Sequence, residues 1–255
     1  MTDIEFSVAE GIATLRLNRP SKLNSVTPEM ADAIRECCDQ ISRDPGIRVG
    51  ILTGAGDKAF CAGSDVAELD AYPTPWAFRM RPDYCDAVRQ VPKPMICAVN
   101  GYALGGGLEL SLSCDIRVAA QHARFGAPEI KLGWIGGGGM TAFLVHNIGL
   151  SNAARMIYTG DPIDASTAER WGLVSEVVAP GSLMQCATML AAAIAQRAPI
   201  AAQTAKLNLR ASVSMPLDQA VQYERDLQTV CMGTMDAAEG RAAFKEKRAA
   251  RFEGR

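Results

Sequence analysis

The sequence predicts an α/β core followed by a helical C-terminal region, and three observations support this fold class. Short apolar runs, such as residues 49–53 and 95–99, alternate with amphipathic segments through the first two thirds of the chain. This alternation is typical of strands and helices packed in layers. From Ser182 onward the chain has an almost wholly helical pattern. With 255 residues, 48% of them apolar, the chain is long enough to bury a large core.

Local signals define the elements of the first ninety residues. Residues 5–9 and 12–17 alternate around Glu10 and Gly11, which is the pattern of a β-hairpin. Thr27 is a good N-cap and is followed by Pro28, so a helix is predicted to begin there. The elements predicted after this start are a helix to about residue 43, a strand over 49–53, a proline-containing loop over 71–82 and a helix over 83–90.

The chain is organised around the glycine-rich stretch 100–115, NGYALGGGLELSLSCD. A short buried strand over 95–99 leads into it, and three consecutive glycines precede a helical segment that carries Glu109. Glycines at the start of a helix let a ligand approach the backbone, and the unpaired N–H groups of the first turn point toward that ligand. The stretch therefore either binds an oxygen that gains negative charge or is a tight turn whose glycines serve packing alone.

The second half of the chain carries another acidic residue and another glycine run. Glu129 lies in a loop predicted over 124–129, and four glycines at 136–139 follow Trp134. The remaining predicted elements are strands over 116–120 and 173–178 and helices over 151–158, 165–171, 182–197, 199–210, 216–231 and 236–251.

Composition argues against several classes of protein. A net charge of −2 gives little support for nucleic-acid binding, and no apolar run approaches the length of a membrane span. The start of the chain lacks the pattern of a secretion signal, so the eight scattered cysteines are expected to be reduced thiols in a cytoplasmic protein. His122 and His146 lie far apart without ligand-spaced partners, and no metal site is expected. The G-x-S-x-G motif of one hydrolase class is not present.

Two glycine turns and two acids recur near predicted strand ends. The turns are residues 61–64 and 105–107, and the acids are Glu109 and Glu129. Backbone N–H groups from two turns can form an oxyanion hole, and two carboxyl groups in one apolar cleft can divide acid and base roles. Each feature taken singly is more often structural, and spacing alone does not show that the four converge.

Several stretches of the chain resemble the enoyl-CoA hydratase/isomerase, or crotonase, family. They are LNRP at 17–20, FCAGSDVAE at 60–68, PMICAVNGYALGGGLEL at 94–110, ARFGAPEIKLG at 123–133, TGDPIDA at 159–165, WGLV at 171–174 and EGRAAFKEKR at 239–248. The likeness covers essentially the whole chain in the family's order. It implies a crotonase-like core of stacked β-β-α turns over 1–197 and a helical trimerisation region over 198–255, commonly within a hexamer.

The resemblance also implies a substrate and a set of site residues. The substrate would be an acyl-CoA thioester whose carbonyl oxygen accepts hydrogen bonds from the N–H groups of Ser64 and Gly106. Hydratases of the family use two glutamates, which match Glu109 and Glu129. Glu109 would chiefly activate a water molecule for C3, and Glu129 would chiefly deliver a proton to C2. No cofactor is implied, because coenzyme A is part of the substrate.

Departures from the family pattern concern the phosphates of coenzyme A and the acyl group. Family members often carry phosphate-binding lysines where this chain has Ser21 and Ala67. Basic residues nearby therefore become candidates, together with one on the last helix that would reach coenzyme A bound to a neighbouring subunit: Arg19, Lys22 and Lys247. The other coenzyme A contacts that the resemblance implies are Ala62, Asp65 and Val66. The four-glycine segment lacks the family's proline, and the residues expected to border the acyl pocket are Trp134 and Gly137.

The sequence thus predicts a cytoplasmic enoyl-CoA hydratase of fatty-acid or related acyl-CoA metabolism. One alternative is a Δ3,Δ2-enoyl-CoA isomerase, which typically relies on a single glutamate. Another is a different acyl-CoA lyase or dehydratase of the same superfamily. A third, from another class, is a non-catalytic acyl-CoA-binding or RNA-binding protein on this fold.

Overall fold

The computed structural model describes residues 3–69 and 72–255, in which helices surround two β-sheets. The larger sheet has six strands in the order β1-β2-β3-β5-β7-β10. Its strands are β1 (Ile4–Ala9), β2 (Ile12–Leu17), β3 (Val49–Gly54), β5 (Met95–Val99), β7 (Ile116–Ala120) and β10 (Glu176–Val178). The β1–β2 hairpin is antiparallel, as predicted, and the other neighbours are parallel.

The smaller sheet was missed by the sequence-based prediction because its strands are only two or three residues long. These strands are β4 (Ala59–Cys61), β6 (Tyr102–Leu104), β8 (Arg124–Gly126) and β9 (Ile163–Asp164). The first three pair in parallel in the order β4-β6-β8, and β9 closes the edge antiparallel to β8. Each of the three follows a strand of the larger sheet and precedes a helical segment, so the core repeats a β-β-α unit.

The helices agree with most of the predicted positions. They are α1 (Pro28–Arg43), α2 (Val66–Leu69), α3 (Pro75–Arg79), α4 (Tyr84–Gln90), α5 (Gly106–Leu112), α6 (Met140–Thr159), α7 (Ala165–Trp171), α8 (Leu183–Ala195), α9 (Pro199–Ser212), α10 (Leu217–Met232) and α11 (Met235–Glu246). Three further 3-10 helices are Pro20–Lys22, Pro128–Leu132 and Pro180–Ser182.

Three helical predictions were wrong in extent. The segment 71–82, predicted as a loop, contains α3, which Thr74 caps by accepting a hydrogen bond from the Ala77 N–H at 3.0 Å; residue 71 lies outside the described part. Helix α6 begins at Met140 and is kinked at the non-helical Gly149 (φ 75°, ψ 160°), so the predicted helix over 151–158 corresponds only to the part after the kink. Helix α11 ends at Glu246, five residues before the predicted end.

Both faces of the larger sheet are buried, which explains the near-continuous apolar runs of β3 and β5. The main core lies between this sheet, the smaller sheet and helices α1, α4, α5 and α6. Phe60 and Phe125 are its largest fully buried side chains. On the opposite face, α8 packs Leu183, Ala187 and Ala191 against the sheet. The sheet is therefore fixed from both sides, and the loops at its strand ends are positioned by a rigid core.

One buried ion pair joins the C-terminal helices to this core. The side chain of Lys206 on α9 is 5% exposed; its Nζ lies 2.7 Å from Oδ2 of Asp115 and donates to the Lys93 carbonyl at 2.7 Å. The same Asp115 oxygen accepts a hydrogen bond from the Met95 N–H at 2.7 Å. A single carboxylate thus connects α9 to the start of β5.

A search of the described residues for membrane-spanning helices found none with the required length and apolar character.

Candidate active site

The site forms where the three parallel strands of the smaller sheet end. Because β4, β6 and β8 run in the same direction, the segments that follow them lie side by side at one edge of the sheet. These segments carry Ser64, Gly106 and Glu129, three of the four residues expected at the reaction centre. The fourth, Glu109, lies one turn further along α5. The fold therefore brings together the residues that spacing alone left apart.

The turn after β4 leaves the Ser64 N–H pointing away from its neighbouring strand. The residues on either side of Ser64 make the hydrogen bonds: Gly63 accepts from the Val26 N–H at 2.8 Å, and the Asp65 N–H donates to Val26 at 2.9 Å. Among the hydrogen bonds of the described residues, none uses the Ser64 N–H. This donor is available to a ligand.

The turn after β6 brings a second free donor next to the first. Gly105 has φ 56° and ψ −128°, which only glycine adopts readily, and its N–H is held by the Gly126 carbonyl at 3.0 Å. Gly106 begins α5, so its N–H has no partner within the helix. A Cβ placed on Gly63 would lie 2.9 Å from the Gly106 nitrogen, and one placed on Gly106 would lie 3.4 Å from the Ser64 nitrogen. The two donors are adjacent, as an oxyanion hole requires.

Glu109 is buried and held by the glycine loop that precedes α6. Glu109 is 6% exposed, and its Oε1 accepts hydrogen bonds from the Gly138 N–H at 2.7 Å and the Met140 N–H at 3.3 Å. Burial raises the pKa of Glu109 to about 7, the nearby charge of Glu129 adds to this rise, and the two N–H bonds oppose it. This carboxyl group therefore titrates near neutral pH.

The glycine loop approaches Glu109 so closely that side chains would not fit at two of its positions. A Cβ on Gly136 would lie 2.7 Å from Oε1 of Glu109, and one on Gly138 would lie 2.8 Å from Oε2. At Gly137, between them, a Cβ would meet no atom within 4 Å. A side chain at 136 or 138 would therefore displace the Glu109 carboxyl group, whereas one at 137 would not.

Glu129 is also buried, but no glycine loop encloses its carboxyl group as one encloses that of Glu109. It lies in the 3-10 helix Pro128–Leu132, is 9% exposed, and its Oε2 is a buried oxygen without a hydrogen-bond partner. Burial raises the pKa of Glu129. A Cβ on Gly105 would lie 2.8 Å from Oε1 of Glu129, so this carboxyl group packs directly against the turn that leads into α5. An unpaired buried carboxyl oxygen is costly in a folded protein and is therefore typical of a functional site.

Arg117 anchors the far end of the helix that carries Glu109. Its Nη1 donates to the Cys114 carbonyl at 3.0 Å, just past the end of α5, and its Nε donates to the Leu173 carbonyl at 2.7 Å. The residue is 8% exposed. Short helix α5 is thus fixed at its C-terminal end by a buried guanidinium group, which holds Glu109 in place.

Among the residues expected to bind coenzyme A, two bind each other. Arg19 Nη1 lies 2.7 Å from Oδ2 of Asp65 and also donates to the Ser25 hydroxyl at 3.1 Å. The Arg19 hydrogen bond is the main reason that the pKa of Asp65 is lowered. Lys22 ends the 3-10 helix that follows Arg19 and is exposed. Of the two basic candidates near the N-terminus, Arg19 is already used in an ion pair with Asp65, so the charge of Lys22 is the more available to a ligand.

The other expected contacts lie at the edges of the site. Ala62 donates its N–H to the Leu23 carbonyl at 3.0 Å, and Val66, 55% exposed, begins α2. Trp134 is 42% exposed and donates its N–H to the Glu129 carbonyl at 3.2 Å, which places it beside one of the two acids. Lys247 follows the last turn of α11, and no contact of the described residues joins it to the site within one chain.

The sequence-based prediction missed two features of the site. Gly136 and Gly138 were recognised only as part of a glycine run, although they contact Glu109. Tyr84, the first residue of α4, was assigned no role, yet its hydroxyl lies 3.2 Å from Oγ of Ser64. A single tyrosine at the start of a helix carries no signal by itself, because its contact depends on how α4 packs against two distant turns.

Comparison with known proteins agrees with this geometry. The family model described as "Enoyl-CoA hydratase/isomerase" matches residues 7–255. The chain is 38% identical over 256 residues to (E)-benzylidenesuccinyl-CoA hydratase of Thauera aromatica, which covers 98% of this chain and 99% of that protein. It is 36% identical over 246 residues to crotonyl-CoA hydratase of Syntrophomonas wolfei, with 95% of each chain covered.

A solved structure of similar shape is the enoyl-CoA hydratase from Bacillus anthracis. Its TM-score is 0.94 at 38% identity, and the match covers 100% of both chains. The expected family and the expected crotonase-like α/β fold are therefore confirmed. This chain belongs to the enoyl-CoA hydratase/isomerase family.

Proposed function

We propose that this protein adds water across the C2–C3 double bond of a 2-enoyl-CoA thioester to give a 3-hydroxyacyl-CoA. The observation that carries the proposal is the convergence of two buried glutamates, Glu109 and Glu129, on two adjacent free backbone donors, Ser64 and Gly106. The similarity to relatives named as hydratases identifies the chain as an enoyl-CoA hydratase, which is a hydro-lyase. The roles given to individual residues below are our proposal.

The thioester oxygen binds between the N–H groups of Ser64 and Gly106. As water adds to C3, electron density moves through C2 to this oxygen and forms a thioester enolate. Two fixed donors stabilise that charge more in the transition state than in the bound substrate, which is how an oxyanion hole accelerates a reaction. The positive end of the α5 dipole adds to this effect at Gly106.

The two glutamates transfer the protons. Ionised Glu109 accepts a proton from water while the hydroxide adds to C3, and protonated Glu129 gives its proton to C2. The hydrogen bonds from Gly138 and Met140 favour the ionised form of Glu109, whereas the unpaired Oε2 favours a protonated Glu129. The net reaction consumes one water molecule and the thioester, and it uses no redox cofactor.

Coenzyme A binding is assigned to the turn after β4 and to nearby positive charge. Ala62, Asp65 and Val66 lie along this turn, where backbone groups can contact the adenine end. Arg19 orders Asp65 through their ion pair, and exposed Lys22 is the candidate for a phosphate contact. Lys247 would serve a neighbouring subunit. Trp134 and Gly137 would border the acyl group, since Trp134 lies just before the glycine loop that holds Glu109 and Gly137 lies within it.

The C-terminal region, residues 198–255, is proposed to form the contacts of a trimer or of a hexamer of two trimers. Its helices leave many large apolar side chains exposed in the single chain: Leu207, Leu209, Val213, Leu217, Val230, Met232 and Phe244. Exposed apolar surface of this extent is typical of an interface between subunits. The core, residues 1–197, would carry the acyl-CoA site.

The test is the loss of 2-enoyl absorbance with crotonyl-CoA and with a longer or aromatic 2-enoyl-CoA. We expect rapid turnover by the wild-type protein and none by Glu109→Ala. Glu36→Ala is the matched control, because Glu36 is an exposed glutamate on α1. A folded wild-type protein that binds the thioester without hydrating it, and that converts a 3-enoyl-CoA into a 2-enoyl-CoA, would instead be an isomerase.

A further inference from the structure

The side chain of Tyr84 reaches the point where the two oxyanion-hole turns meet. Its hydroxyl lies 3.2 Å from Oγ of Ser64, and a Cβ placed on Gly106 would overlap the same hydroxyl. The tyrosine therefore contacts both residues whose backbone N–H groups form the proposed hole. It is 8% exposed, and Asp83 fixes the start of its helix by accepting a hydrogen bond from the Cys85 N–H at 2.8 Å.

The hydrogen bond between the Ser64 and Tyr84 hydroxyls uses only one of their two protons. The Ser64 and Tyr84 hydroxyls each carry one proton, and their mutual hydrogen bond uses only one of the two. Within the described part of the chain, neither hydroxyl makes another hydrogen bond. One O–H group at the junction of the two turns is therefore available to an oxygen atom bound there.

Tyrosine is the better donor of the two to a negatively charged oxygen. A phenol is more acidic than an aliphatic alcohol, so the stronger donor pairs with the stronger acceptor when the oxyanion forms. Burial, the largest cause, keeps the pKa of Tyr84 well above its ordinary value, and so the hydroxyl retains its proton at working pH. In this arrangement Ser64 donates to the phenol oxygen and orients it.

We propose that the Tyr84 hydroxyl donates a third hydrogen bond to the thioester oxygen, beside the N–H groups of Ser64 and Gly106. The inference rests on the proposed function, since it adds a donor to the oxyanion hole of that reaction. It also gives Ser64 two roles, one through its backbone N–H and one through the hydroxyl that orients Tyr84. A side chain at position 106 would displace the Tyr84 hydroxyl, so glycine at this position keeps the hydroxyl beside the hole.

The test compares Tyr84→Phe with the wild-type protein in two measurements. The first is kcat and KM for crotonyl-CoA, where we expect kcat to fall about 10- to 100-fold with little change in KM, since one donor of an oxyanion hole is lost. The second is the absorption spectrum of a bound aryl 2-enoyl-CoA. Hydrogen bonds to the thioester oxygen polarise this chromophore and shift its absorption to longer wavelength, so the shift should be smaller in Tyr84→Phe.

The matched control is Tyr102→Phe, because Tyr102 lies on β6, the strand that leads into the same turn. It should keep the wild-type kcat and the wild-type spectral shift. Ser64→Ala should lower kcat less than Tyr84→Phe does, and adding it to Tyr84→Phe should cause little further loss, because the two hydroxyls act as one unit. If Tyr84→Phe does not fold, Ser64→Ala with a reduced spectral shift still supports the proposal.

A Tyr84→Phe protein with wild-type kcat and an unchanged spectral shift would overturn the proposal. Failure of the proposed function gives a different result, because a wild-type protein that hydrates no 2-enoyl-CoA can still shift the spectrum of the bound chromophore. A shift that depends on Tyr84 would then retain the third donor while rejecting the hydratase reaction.

Discussion

The surroundings of Glu109 and those of Glu129 differ although the two residues share one site. Glu109 is enclosed by a glycine loop that donates two backbone N–H groups to its carboxyl oxygen. Glu129 packs against Gly105 and keeps one buried oxygen without a partner. Burial raises the pKa of both residues, and hydrogen bonds oppose this rise in both: two N–H groups of the glycine loop in Glu109, and its own backbone N–H in Glu129. The two glutamates therefore differ in their chemistry because their neighbours differ.

This difference explains why one glutamate is suited to accept a proton and the other to give one. A carboxylate held by N–H donors keeps a fixed orientation toward water, as a general base must. A carboxyl group with an unpaired oxygen gains from holding a proton until substrate arrives. The two environments should therefore have separate, measurable consequences for catalysis.

The largest expected effect is the loss of hydration when either glutamate becomes glutamine. Glu109→Gln and Glu129→Gln should each lower kcat about 10²- to 10⁴-fold, because each removes one proton transfer. Thioester binding should be nearly intact in both, since the oxyanion hole is formed by backbone groups. Steady-state kinetics and a binding titration measure these quantities.

The two glutamine variants should differ in a second assay. A saturated acyl-CoA can exchange its C2 proton with deuterated water but has no C3 hydroxyl to lose, so exchange needs the C2 base and the oxyanion hole alone. Mass spectrometry should detect exchange in Glu109→Gln and none in Glu129→Gln. The reverse pattern would exchange the roles assigned to the two residues.

The pH dependence of the wild-type rate should show the titration of Glu109. As a general base Glu109 must be ionised, and burial raises its pKa to about 7. kcat/KM for crotonyl-CoA should therefore rise with pH through about 7 and fall about tenfold for each pH unit below it. A rate that falls as the pH rises through 7 would make Glu109 the acid instead.

The glycine loop offers a smaller perturbation with an internal control. Gly138→Ala places a Cβ 2.8 Å from Oε2 of Glu109, so the carboxyl group must move, and kcat should fall about tenfold. Gly137→Ala adds the same methyl group where no atom lies within 4 Å, so Glu109 keeps its position and kcat with crotonyl-CoA should fall much less than in Gly138→Ala. Similar kinetics in the two variants would show that the loop does not position Glu109.

The smallest expected effect is on stability. The pKa of Glu109 is raised from 4.5 to about 7 in the folded chain, so its protonated form stabilises the fold below pH 4.5 and this stabilisation is lost as the pH rises through 7. The substitution Glu109→Gln changes the free energy of unfolding at each pH. This change should favour the folded protein by about 1 to 3 kcal/mol more at pH 8 than at pH 5. Urea denaturation at both pH values measures this, with Glu36→Gln as the exposed control. An equal effect of Glu109→Gln at both pH values would contradict the raised pKa.

Local patterns predicted the long elements and failed for the short ones. The β1–β2 hairpin and the start of α1 follow from turn and capping residues, which act within a few positions of one another. The strands β4, β6 and β8 have three residues each, too few for a periodic pattern, and they exist because neighbouring strands supply their hydrogen bonds. Only the part of α6 after its kink at Gly149 was predicted, and the part that begins at Met140 was missed.

The sequence by itself determined the residue types of the site: glycines that free backbone donors, and two glutamates in apolar stretches. Their resemblance to a known family gave the expected roles, and that family is confirmed. Tertiary structure decided which groups meet. The parallel order β4-β6-β8 places three turns at one edge. The packing of the loop before α6 gives Glu109 its N–H donors, and the packing of α4 brings Tyr84 to Ser64, while Oε2 of Glu129 stays without a partner. These contacts join residues at least 20 positions apart in the sequence, and such separations are bridged by packing of the whole core and not by local preference.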